Sequence, residues 1–126
     1  MLAADTNVIV RIITRDTPAQ AETADAFIQG GAWVPTVALM ESIWVLGTIY
    51  ALNRDAIERV LEMLLEHEDL VMEDPEICRA ALQIFREKPA IQFSDALILA
   101  TATRAGHLPL GTFDRKLATR KGTVRL

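Results

Sequence analysis

Short apolar runs alternate with longer amphipathic stretches along the whole chain, and that alternation restricts the fold more than any other feature. A strand of three or four residues followed by ten or more residues of helical periodicity is the pattern of a parallel sheet covered by helices. Leu2 to Ala4, Trp33 to Val34, Leu70 to Met72, Leu108 to Gly111 and Thr123 to Arg125 read as five short strands. Helices are predicted over Asn7 to Ile13, from Thr17 and Pro18 to the Gly30–Gly31 pair, and from a Thr36 cap to about Tyr50. Asn53 opens the clearest amphipathic helix, with Ile57, Val60, Leu61, Leu64 and Leu65 on one face. Asp74 and Pro75 open another, carrying Ile77, Ala80, Ala81, Ile84 and Phe85. Ser94 is the expected cap of Asp95 to Ala105, which Gly106 closes, and Arg115 to Arg120 reads as a short helix. A helix in every crossover, with right-handed connections, places helices on both faces of one sheet.

At 126 residues, 51% of them hydrophobic, the chain is long enough for one core and too short for two ordinary domains, so a single domain over 1–126 is expected. The lone Cys78 has no Cys or His at ligand spacing, which excludes a disulfide framework and a zinc site and fits a reducing cytoplasm. No apolar run approaches the ~20 residues that span a bilayer, and the first ten residues lack a basic region, so neither membrane insertion nor secretion is expected. The net charge of −4 is unevenly distributed: every acid lies at or before Asp114, and Arg115, Lys116, Arg120, Lys121 and Arg125 follow it. Taken alone this basic edge reads as a solvated C-terminal segment balancing an acidic surface, but beside a carboxylate cluster it suits a polyanionic partner, because cations offset its repulsion from the acids.

Four acids stand apart from the other thirteen. Asp5 and Asp114 fall just past strand ends, Glu41 lies in the helix after the second strand, and Asp95 opens the helix leading into the fourth. Beyond the carboxyl ends of parallel strands is where such folds bind ligands. On its own helix Glu41 has only Val37, Ala38, Trp44 and Val45 three and four residues away, and Asp95 has Ile91, Gln92, Ile98 and Leu99. A buried carboxylate without a cation must be protonated, paired across the fold, or facing a metal. Taken singly, Asp5 also suits a helix cap, Asp95 a first-turn acid and Asp114 an Asx turn.

Asp5-Thr6-Asn7-Val8, the glutamate after the second strand, Phe93-Ser94-Asp95-Ala96-Leu97 and Thr112-Phe113-Asp114 together resemble the motifs of a PIN-domain ribonuclease. The length and the stretch from Val45 to His67 are similar to the VapC-type toxins of type II toxin–antitoxin pairs. The resemblance implies a three-layer α/β/α fold around a five-stranded parallel sheet in the order 3-2-1-4-5. It implies that Asp5, Glu41, Asp95 and Asp114 form an acidic pocket, and that Asn7 and Thr112 support the acids by hydrogen bonding. It also implies homodimers and a cognate VapB-type antitoxin whose C-terminal segment covers the active site.

The inventory of hard oxygen donors suits Mg²⁺ or Mn²⁺, with Asp5, Asp95 and Asp114 as ligands and Glu41 orienting or deprotonating the attacking water. Arg115, Lys116 and Lys121 are the expected contacts to RNA phosphates. Two other readings compete. A catalytically silent domain of this type would bind protein through Trp44, Leu46, Ile49 and Tyr50. A phosphoaspartate enzyme or receiver domain also carries an acid after its first strand, but Thr6 and Asn7 stand where a further acid would be needed.

Overall fold

The computed structural model describes all 126 residues, which form two compact units, Met1–Pro75 and Glu76–Leu126. In the first unit the order is β1 (Leu2–Ala3), α1 (Thr6–Thr14), α2 (Pro18–Ile28), β2 (Ala32–Val34), α3 (Thr36–Thr48), α4 (Arg54–Glu66) and β3 (Leu70–Met72). The second contains α5 (Pro75–Glu87), whose first residue closes the first unit, then α6 (Phe93–Ala105), β4 (Leu110–Thr112), a 3-10 turn (Leu117–Thr119) and β5 (Thr123–Arg125). No helix is long and apolar enough to cross a membrane.

The α/β class and the parallel pairing follow the expectation; a single five-stranded sheet does not. The strands form a parallel β1-β2-β3 sheet in the first unit and a parallel β4-β5 pair in the second. The first strand is only two residues long, and its ladder, extended by the Ala4 N–H to Trp33 O at 2.8 Å, is with β2. A strand this short specifies little pairing of its own.

Alternation places Ala32 and Val34 of β2, and Leu70 and Met72 of β3, in the core while Trp33 and Val71 point the other way as register partners. The first unit's core is completed by Ile9 and Val10 of α1, Leu39, Ile43 and Leu46 of α3, and Leu61 and Leu64 of α4. The α1 helix packs against both α2 and α3, and α4 against β3. In the second unit Ala81, Leu82 and Phe85 of α5 are buried with Phe93, Ala96 and Leu97 of α6. Phe85 and Phe93 meet edge to face at 6.1 Å and 87°, a geometry worth about 0.5–1.5 kcal/mol beyond burial. Ile77 and Ala80 of α5 belong instead to the wall of an open groove.

Several boundaries move for identifiable reasons. The cap of α3 is Pro35, and the Thr36 N–H donates to Glu73 Oε1 at 2.9 Å, tying the helix start to the end of β3. Gln92, not Ser94, precedes the first turn of α6, because Phe93 is already buried as its first residue. The fourth strand begins after Pro109, which has no N–H to donate, and runs on through Thr112. Of the helix expected over Arg115 to Arg120 only the 3-10 turn forms. Asn53 does cap α4, accepting from the Ala56 N–H at 2.9 Å, and Gly106 ends α6 with a left-handed φ of 79° that a side chain would disfavour.

Candidate active site

Asp5 follows β1 and is the N-cap of α1; its Oδ1 accepts the Thr6 N–H at 2.6 Å, and its side chain is otherwise exposed. The acid thus sits against the positive end of a helix dipole, with one carboxylate oxygen committed to the backbone. Two residues on, Asn7 is exposed on the first turn of α1 and lines a cleft against α2. Glu41 departs from expectation. It is exposed, on the outer face of α3 one turn from Val37 and Trp44, which are 69% and 60% exposed. A helix that is apolar all round gives no phase from which to infer its buried side, and Glu41 shares the solvent face with apolar residues rather than lying beneath them. Leu46, grouped in the sequence with the exposed Trp44 and Ile49, is wholly buried.

The second unit holds the other two acids and brings them under each other's influence. Asp95 is the third residue of α6 and half-buried; partial burial first, and then the charge of Asp114, push its carboxyl above the ordinary aspartate range. Asp114 shifts the other way. The Leu117 and Lys116 N–H groups hold it ionised, donating to Oδ1 at 3.0 and 2.8 Å in an Asx turn. The repulsion between the two is therefore expressed on Asp95, the acid that lacks such donors. Thr112 supports this turn through the backbone: its Oγ1 accepts the Asp114 N–H at 3.0 Å.

The donors are hard oxygens of the kind Mg²⁺ or Mn²⁺ takes, and Asp114 Oδ2 is left clear of the turn. Within neither unit do three or more His, Cys, Asp and Glu side chains form a group able to hold a metal ion; Asp5 and Glu41 belong to the first unit and Asp95 and Asp114 to the second. His67 is not a base poised at these acids: it ends α4, and its Nδ1 accepts the Asp69 N–H at 3.0 Å.

Charge divides sharply between the units. Residues 1–75 hold four basic and thirteen acidic side chains, net −9; residues 76–126 hold nine basic and four acidic, net +5. Arg115 and Lys116 are exposed beside Asp114, in its turn. Lys121 lies elsewhere, at the rim of a groove of about 910 Å³ walled by Ile77, Ile84, Leu99 and Leu108. That groove contains none of the four acids, and two of its cations are engaged, Arg104 with Glu76 at 2.8 Å and Arg120 with Glu87.

One feature of the first unit escaped the sequence altogether. Arg11 Nε donates to Gln20 Oε1 at 2.6 Å and Nη1 to Tyr50 Oη at 3.2 Å, while Tyr50 donates to Asp16 Oδ2 at 2.7 Å. This network joins α1, the α1–α2 connection, α2 and the end of α3. Arg11 is the single charged residue of α1, and nothing local to it identifies its partners.

The family model of the PIN domain matches residues 3–122. No curated protein and no solved structure matches the chain.

Proposed function

Because the chain belongs to the PIN-domain family, whose members are generally metal-dependent nucleases, we propose that it is an endoribonuclease toxin of the VapC type, dependent on Mg²⁺ or Mn²⁺. The family match over residues 3–122 supports the nuclease part of this reading. The opposed shifts of Asp95 and Asp114 and the +5 charge of their unit support it. Asp5, Asp95 and Asp114 are the proposed ligands. An ion held by them would supply positive charge to polarise the scissile phosphate and acidify a water molecule.

The chain's own groups then have distinct tasks. Asp114, kept ionised by two N–H donors, offers its remaining oxygen without first losing a proton. Asp95, whose carboxyl is pushed upward by partial burial and then by the charge of Asp114, is the acid whose ionised form a bound cation would favour most. Glu41 accepts the proton of the attacking water as its oxygen bonds to phosphorus. The P–O3′ bond breaks in line, leaving a 5′-phosphate and a 3′-hydroxyl protonated by solvent. Arg115, Lys116 and Lys121 hold neighbouring phosphates as charges rather than as readers of sequence.

Regulation follows from the same acids. A VapB-type antitoxin that inserts an Arg among them would match paired carboxylates bidentately and compete with the metal. Its inhibition should weaken as Mg²⁺ rises and disappear when the Arg is changed to Ala. The exposed Val37, Trp44 and Ile49 on and just after α3 favour a protein contact there, which we assign to a homodimer.

The deciding experiment is incubation of the purified protein with structured RNAs in Mg²⁺, in Mn²⁺ and in chelator, followed by end-mapping. Metal-dependent cleavage leaving 5′-phosphates, absent in Asp95→Asn, is expected. Cleavage that persists in chelator, or in Asp95→Asn, would overturn the assignment.

A further inference from the structure

We propose that the cleft between α1 and α2 is a nucleobase subsite that holds one unstacked base of a single-stranded RNA; this rests on the ribonuclease reading above. The cleft has a volume of about 430 Å³ and is lined by Asn7, Val8 and Arg11 of α1 and by Gln20, Thr23 and Phe27 of α2. That is the size range of small-ligand pockets, which begins at ~300 Å³.

Three observations point to a base and not to a phosphate. Phe27 is 37% exposed, an aromatic side chain on the cleft wall. Single-stranded RNA is recognised by stacking splayed-out bases on such rings and by hydrogen bonds to their edges. Next, Arg11 Nε donates to Gln20 Oε1 at 2.6 Å, and Asn7 adds a second amide, so guanidinium and amide donors and acceptors share the cleft with the ring. Last, this unit carries net −9, and the charge of Arg11 is already answered by Asp16 at 3.6 Å. A phosphate here would meet a repulsive field with its one cation engaged, whereas a neutral base would not. The lining also begins two residues after Asp5, so a base seated here would belong to a nucleotide near the proposed cleavage point.

The test is fluorescence anisotropy with 5′-labelled single-stranded RNA 12-mers of A, C or U in chelator, each compared with an abasic 12-mer. Phe27→Leu removes the ring and keeps apolar bulk, and Phe27→Trp enlarges the stacking face. Phe27→Leu should weaken binding of at least one base-bearing RNA by about fivefold or more, and Phe27→Trp should restore it. All three proteins should bind abasic RNA alike. A 5-iodouridine 12-mer should photocross-link at Phe27. Equal loss on abasic RNA, no loss on any RNA, or no RNA binding by the wild type would each overturn the subsite. Loss of binding to a co-purifying protein with RNA binding intact would overturn it in favour of a protein-docking cleft. Failure of the nuclease reading is distinguishable: Phe27-dependent binding without cleavage in any metal leaves the subsite standing alone, and cleavage with Phe27-independent binding removes only the subsite.

Discussion

Replacing Asp5 by Asn and by Ala separates two roles that the same carboxylate is asked to fill. Asp5 caps α1 through a 2.6 Å bond from the Thr6 N–H, and Thr6 is 7% exposed, so that N–H has little water to turn to. Asn is as good an N-cap as Asp, since both present a side-chain oxygen to the first turn. Removing the charge forfeits an interaction with the helix dipole of about 0.3–1 kcal/mol. In a unit of net −9 it also relieves repulsion, so the two effects oppose each other. Ala removes the acceptor as well, at about 1 kcal/mol. The expected order of stability is therefore wild type close to Asp5→Asn, with Asp5→Ala lower by roughly 3–5 °C in Tm for a chain of this size.

Activity should not follow that order. If Asp5 is a metal ligand, both variants lose single-turnover cleavage by more than about a hundredfold, since even partners of ligands account for 10–100-fold. Thermal unfolding in chelator and cleavage at saturating Mg²⁺ make the comparison. Wild-type cleavage by Asp5→Asn would reduce Asp5 to a cap. Equal stability of Asn and Ala would refute the capping argument instead.

Two further expectations concern the second unit. Asp95 has a folded-state pKa above its unfolded value, so the wild type loses stability as pH rises through the folded value and is not penalised below about pH 3.9. Asp95→Asn, measured by denaturant unfolding in chelator, should therefore gain stability over the wild type from pH 4 to neutrality; a pH-independent difference would mean that the burial and the charge of Asp114 do not act on this carboxyl. Changing Arg115, Lys116 and Lys121 together to Gln should flatten the dependence of log K on log salt for single-stranded RNA by about 2, from ~0.7 per phosphate contact, and an unchanged slope would return them to solvated surface charges.

What could be read in advance was whatever depends on neighbours in the chain. Leu70–Met72 and Thr123–Arg125 are strands within the predicted bounds, and Asn53 caps α4 as its position before an amphipathic run implies. Asp5 and Asp114 make the local backbone contacts their positions allow, a cap and an Asx turn. What depended on tertiary context could not be read. The solvent face of α3 was hidden by its uniform apolarity, so Glu41 and Leu46 exchanged their expected environments. Thr36 and Ser94 look like caps, but the entry of the chain into each helix is decided by Glu73 and by the burial of Phe93. The bond between Tyr50 and Asp16 spans 34 residues, and no local pattern encodes it.

The uneven charge bears on how an acidic chain can suit the proposed RNA substrate. A net of −4 averages two units of opposite sign, and association with a polyanion responds to the local field before the average. With a screening length of ~8 Å at physiological salt, a phosphate approaching Asp114 meets mainly the surrounding cations of the +5 unit, Arg115 and Lys116 first. The same phosphate approaching α1 and α2 meets the −9 unit. On the proposed RNA reading, phosphates are favoured where Lys and Arg dominate, and only neutral parts of the nucleic acid are tolerated where Asp and Glu do. This division requires that raising salt weaken phosphate-dependent binding while leaving the contribution of Phe27, taken as the wild-type to Phe27→Leu affinity ratio, unchanged.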